Sequence, residues 1–167
     1  MGHIWLIGMM GSGKTTVGRA LAVRRGKPFY DTDELVEREA GKPIREIFAE
    51  DGERRFRALE AVAVEKVAGL PDGVVAAGGG AILDDANIER MRSVGTTVLL
   101  HGDPGTFADR IAPGKDRPLI VDDAHAELRA IAAIRAPRYE AAADAVVDAR
   151  GSVEEVADLV ERACAAS

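Results

Sequence analysis

The chain has 167 residues, 47% of them hydrophobic, which fits one domain with its own core and excludes a disordered segment. Lys and Arg total 22 against 28 Asp and Glu, and the formal charge of −6 argues against a general nucleic-acid binder, whose affinity rests on neutralising phosphates. A small anionic ligand stays possible, because a few placed arginines outweigh net charge locally.

In chain order the pattern predicts a strand at 3–7, a helix at 14–25, a strand at 27–31 and helices at 33–40, 44–50 and 54–68. A strand at 74–77, a helix at 84–94 and a strand at 96–101 follow. The remainder reads as helices at 105–111 and 123–142, a strand at 144–148 and a helix at 153–165. The runs "IWLI", "VVAA" and "TVLL" are apolar throughout rather than alternating, which is the pattern of strands covered on both faces. Strands alternating with helices imply right-handed crossovers and a parallel sheet between helical layers. Ser152 with Glu155 three residues on is a capping box, and Pro137 predicts a kink or break near Arg135. The segment "PGKDRP", residues 113–118, reads as a mobile surface loop.

The turn after the first strand carries the clearest chemistry. Gly8 to Thr15 fits G-x-x-x-x-G-K-[ST] between a strand and a helix, the context of a P-loop. Backbone N–H groups of Gly11, Ser12 and Gly13 would surround phosphate oxygens, and the new helix would aim its positive end at the same anion. Lys14 supplies a mobile charge, and the hydroxyl of Thr15, with Thr16 behind it, can face Mg²⁺. A P-loop by itself says only nucleoside triphosphate, not what is done with it.

The phosphoryl acceptor is sought further along. In "FYDTDELVE", Asp31 and Asp33 are two apart, a spacing that puts both carboxylates on one side of an extended segment. Asp31 would hold the metal through water and Asp33 would take a proton from an attacking hydroxyl. Helix capping explains the same residues without chemistry, and spacing does not decide between the two. In "GERRFRALE", Arg54 and Arg55 read as a solvated face, whereas Arg57 beside Phe56 suits a bidentate grip on a carboxylate. Gly78, Gly79 and Gly80 follow a buried strand and point to a close backbone approach or to a loose turn. Arg110 could stack on a base, Arg117 could neutralise a transferring phosphoryl group, and Arg135 opens "RAPRY"; each taken singly also reads as a surface arginine.

Taken together, the P-loop, "DTD", "GE..FR..E", "GGG", "RPL" and "R.P.Y" resemble shikimate kinase in order and approximate spacing, from about Ile4 to Asp148. The resemblance implies ATP-dependent phosphorylation of the 3-hydroxyl of shikimate, with Mg²⁺. It implies a nucleoside-monophosphate-kinase-like α/β fold, a three-layer sandwich around five parallel strands in order 2-3-1-4-5. Asp33, Arg57, Gly79, Gly80 and Arg135 would then hold shikimate, with both arginines on its carboxylate. Lys14, Thr15 and Asp31 would serve phosphate and metal. Arg117 would be the arginine of a lid at about 112–121, Arg110 would lie beside the adenine, and residues 32–62 would form a substrate-binding subdomain. Two departures stand out: Arg138 where the motif usually has leucine, and Ala77 before the glycines where a hydroxyl residue is common. Arg138 either adds a cation near the carboxylate site or sits on the surface.

His3, His101 and His125 have no metal-like spacing, Trp5 reads as core and Cys164 as inert. With one cysteine no intrachain disulfide can form, and the apolar run 4–10 is too short to span a bilayer and has no basic flank or cleavage site. A monomer in the cytoplasm, without nucleic-acid or membrane partners, is the expectation.

Overall fold

The computed structural model describes residues 2–111 and 121–167. The strand β1 (His3–Ile7) is the centre of the sheet. It pairs in parallel with β3 (Val74–Ala76) on one side and β4 (Gly95–His101) on the other, with Trp5 opposite Val75 and Thr97. The edges are β2 (Phe29–Asp31) and β5 (Ala145–Asp148), giving the order β2-β3-β1-β4-β5. All five residues of β1 are buried, as two covered faces require.

Each strand feeds a helix: α1 (Lys14–Arg25), α2 (Thr32–Ala40), α3 (Ile44–Glu46), α4 (Gly52–Ala68), α5 (Asp85–Val94), α6 (Pro104–Arg110), α7 (Val121–Ala142) and α8 (Val153–Ala165). The step from β1 to β2 runs opposite to the later steps along the sheet. Right-handed crossovers therefore put α1 on one face and α4, α5 and α7 on the other. Helix α8 joins α1 and also packs on β4 and β5.

Two cores result. The large one gathers Trp5, Leu6, Leu21, Val75, Ile82, Met91, Leu100 and Val160 around the sheet. A smaller one, Val36, Ile47, Phe56, Leu59 and Ala63, holds α2 and α4 together at the edge. Trp5 is fully buried, and His3 is buried with its Nδ1 accepting from Gly73 N at 3.1 Å, a structural role. Burial raises the Cys164 pKa, which favours the thiol over the more nucleophilic thiolate.

The predicted elements are all present; several ends shift by one or two residues, and three places need a physical account. β2 starts at Phe29, not residue 27, because Lys27 N caps α1 through Ala22 O and Pro28 has no N–H to give. The single helix expected at 44–50 is instead the short α3 followed by a wide turn over Ile47–Asp51, closed by Gly52 N–H on Ile47 O. Of the kink or break expected at Pro137, the break does not occur: α7 is continuous, and the carbonyl that loses its partner belongs to Ala133, an exposed residue. The capping box is formed, with Glu155 N donating to Ser152 Oγ at 3.2 Å and Ser152 N donating to Glu155 Oε2 at 3.0 Å. Among the described residues, no helix is long and apolar enough to cross a membrane.

Candidate functional site

The turn from β1 to α1 lies against the rest of the fold, and its glycines answer to that. Gly8 has φ 147°, and a Cβ there would lie 2.8 Å from Leu100 O; a Cβ on Gly11, at φ 80°, would overlap the Phe107 carbonyl. Helices α2, α5, α6 and α8 begin on a side chain that caps them. Helix α1 begins on Gly13, with no capping side chain and no acid in its first turn. Its first N–H groups are thus left for an external anion. Lys14 Nζ folds back to donate to Gly8 O at 2.7 Å and Met9 O at 3.0 Å. Desolvation lowers its pKa from 10.5 to about 8, opposed by Asp33 and Asp31 and assisted by Arg135. The buried Ser12 hydroxyl has no hydrogen-bond partner among the described residues.

Asp31 closes β2 and caps α2. Its Oδ1 accepts from Asp33 N at 2.9 Å and Glu34 N at 3.3 Å, while Oδ2 accepts from the Thr15 hydroxyl at 3.0 Å. Capping and a link to the cradle are therefore the same arrangement. The extended geometry expected for Asp31 and Asp33 does not occur: Asp33 lies in the first turn of α2, and the cap brings the two acids together. Burial first, then the Asp31 charge, raises Asp33 from 3.8 to about 6, with Lys14 opposing and Glu60 and Glu37 adding.

The triple glycine is where the site converges. A Cβ on Gly78 would lie 2.6 Å from Asp33 Oδ1 and 2.8 Å from Glu60 Oε2. On Gly79 it would lie 3.4 Å from the Arg135 guanidinium, 3.6 Å from Gly8 O and 3.7 Å from the Tyr139 hydroxyl. On Gly80 it would overlap the Arg57 guanidinium. The turn thus brings Asp33, Arg57 and Arg135 together, next to the cradle that holds Lys14. Arg57 donates to Glu60 Oε1 at 2.8 Å and lies 3.5 Å from Glu53. Glu60 is buried; desolvation raises its pKa, and Arg57 and then Arg135 hold it down. Among the described residues no carboxylate comes within ion-pair distance of Arg135, which leaves that cation open to an anionic ligand.

Three residues given no role in the sequence belong here. Thr32 Oγ1 accepts from Gly78 N at 2.8 Å, and the Tyr139 hydroxyl donates to Gly79 O at 2.5 Å. Glu60 holds Arg57 through its own buried carboxylate. All three sat inside the quoted motifs, Glu60 as the last acid of "GERRFRALE", one turn after Arg57.

Arg110 lies at the rim of the cradle, donating to Ala149 O at 2.8 Å and Gly11 O at 3.4 Å, with its guanidinium 5.5 Å from the Phe107 ring centre. Thr16, Arg54 and Arg55 are exposed. Arg138 donates to Ile82 O and forms an ion pair with Asp85. Arg117, the loop at 113–118 and most of the expected lid lie outside the described residues.

The shikimate kinase family model matches residues 10–165. A shikimate kinase of Symbiobacterium thermophilum is 45% identical over 166 residues, covering 96% of this chain and 95% of that protein. The structure of a shikimate kinase from Acinetobacter baumannii in complex with shikimate superposes with a TM-score of 0.87 at 35% identity, over 97% of this chain and 90% of that one. A gluconokinase from Sinorhizobium meliloti aligns over 99% of this chain and 92% of its own with a TM-score of 0.62 at 20% identity, a likeness of fold alone. The chain belongs to the shikimate kinase family.

Proposed function

We propose that the chain transfers the γ-phosphoryl group of ATP to the 3-hydroxyl of shikimate, as a cytoplasmic monomer. The observation that carries this reading is the meeting of one acid and two guanidinium groups around Gly78–Gly80, beside an anion cradle with a lysine. In this reading Arg57 and Arg135 grip the substrate carboxylate and Asp33 faces the hydroxyl to be phosphorylated. The hydroxyl oxygen bonds to the γ-phosphorus as its proton passes to Asp33 and the bond to ADP breaks. A carboxylate raised to about 6 is ionised near neutral pH yet basic enough to accept that proton. Lys14 and the open end of α1 neutralise charge on the β- and γ-phosphates.

The Thr15 hydroxyl and the Asp31 carboxylate, 3.0 Å apart, are hard oxygen donors of the kind Mg²⁺ takes, and they fit it. Among the described residues no cluster of three or more His, Cys, Asp or Glu could hold a metal ion, so such an ion would also need phosphate oxygens and water. When bound, Mg²⁺ would add charge neutralisation at the phosphates. Residues 32–62, which hold all of the smaller core but Ala63, would act as the substrate-binding subdomain, and 112–121 as the lid. Both halves of the site come from one chain, so the reading requires no partner subunit.

ADP release measured with ATP, Mg²⁺ and shikimate, gluconate or no acceptor tests this. Turnover should depend on shikimate and vanish in Lys14→Ala. Faster turnover with gluconate, or ADP release independent of an acceptor, would overturn it.

A further inference from the structure

Helix α7 reaches the glycine turn with three consecutive contacts. Arg135 lies beside Gly79, and Tyr139 donates to Gly79 O at 2.5 Å. Between them Arg138 donates through Nε at 3.2 Å and a terminal nitrogen at 2.8 Å to Ile82 O, in the short 3₁₀ turn Ala81–Leu83. The same nitrogen lies 2.7 Å from Asp85 Oδ1, in the first turn of α5. Arg138 and Tyr139 therefore tie the two ends of one turn to one helix. The part of that turn between them includes Gly80, which lies against the Arg57 guanidinium. Neighbouring bonds hold the same end of α7: the Thr97 hydroxyl donates to Ala142 O at 2.7 Å, and Arg92 donates to Ala141 O.

We propose that Arg138 is a positioning residue: by fixing Ile82 and Asp85 to α7, it sets the separation of Arg57 and Arg135, and so the fit to the substrate carboxylate. The inference rests on the carboxylate reading given above. Arginine is suited to the place because a planar fork reaches two acceptors at once, which a lysine ammonium on a flexible stem does less well. The Asp85 ion pair is exposed at both ends, so the bonds to the Ile82 carbonyl carry most of the effect.

The test is steady-state kinetics of Arg138→Leu, Arg138→Lys and Asp85→Asn beside the wild type, varying shikimate and ATP separately, with thermal midpoints for each. Leucine keeps helix propensity and removes all donors. Arg138→Leu should raise KM for shikimate roughly threefold to tenfold, the effect of losing about one net hydrogen bond, with KM for ATP unchanged. Arg138→Lys should recover part of that, and Asp85→Asn should show a smaller rise in the same constant. A lowered thermal midpoint with both KM values unchanged would make Arg138 merely structural and overturn the inference. An equal rise in both KM values would overturn it too. Should Arg138→Leu fail to fold, an unchanged KM for shikimate in Asp85→Asn and Arg138→Lys would overturn it as well. A wild type without shikimate turnover would instead remove the function itself.

Discussion

Asp33 sits in an environment far from water, buried and beside a second acid. Its carboxyl is raised from 3.8 to about 6, first by burial and then by the Asp31 charge. A group raised in the folded state stabilises below its unfolded value, and that contribution is lost as pH rises through the folded value. Asp33→Asn should therefore leave the thermal midpoint unchanged near pH 4 and raise it above pH 6, while turnover falls roughly 10²- to 10⁴-fold. Midpoints recorded across pH 4–8 decide this; a variant less stable than wild type at pH 7.5 would contradict the burial argument. How Asp33 became legible is instructive. The motif "DTD" points to Asp33, but on the expectation of an extended chain, whereas the two acids are brought together by the cap that Asp31 places on α2. Glu60, Thr32 and Tyr139 escaped assignment because their value lies in contacts made elsewhere in the fold. Tyr139 meets Gly79 across 60 residues and Thr32 meets Gly78 across 46, separations that no local pattern encodes.

At the scale of elements, strands and helices could be read from period and apolar runs, because the central strands β1 and β3 are buried throughout. What could not be read were the ends set by single bonds, such as the cap from Lys27 that shortens β2, and the wide turn at Ile47–Asp51. That turn matters because Ile47, fully buried, seals the smaller core under α2 and α4. Both helices carry site residues, Asp33 on one and Arg57 with Glu60 on the other. Ile47→Ala should cost about 2–5 kcal/mol of stability in chemical denaturation. Below the transition its KM for shikimate should rise more than its KM for ATP, since the cradle belongs to the large core. Equal effects on both constants would argue against a separately supported substrate side.

On the scale of the whole molecule, the topology places the carboxyl ends of β1, β2 and β3 side by side, and each ends in one part of the site: the cradle, the acids and the triple glycine. Open α/β sheets bind ligands at this edge. The central claim is that Arg57 and Arg135 grip one carboxylate there. It is tested most directly by comparing kcat/KM for shikimate and for its methyl ester in the wild type, Arg57→Ala and Arg135→Ala. One charge-assisted pair amounts to about 1.5–3 kcal/mol, so the wild type should prefer the acid and each variant should cut that preference by roughly 10- to 150-fold. A preference for the acid that survives intact in both variants would contradict the account.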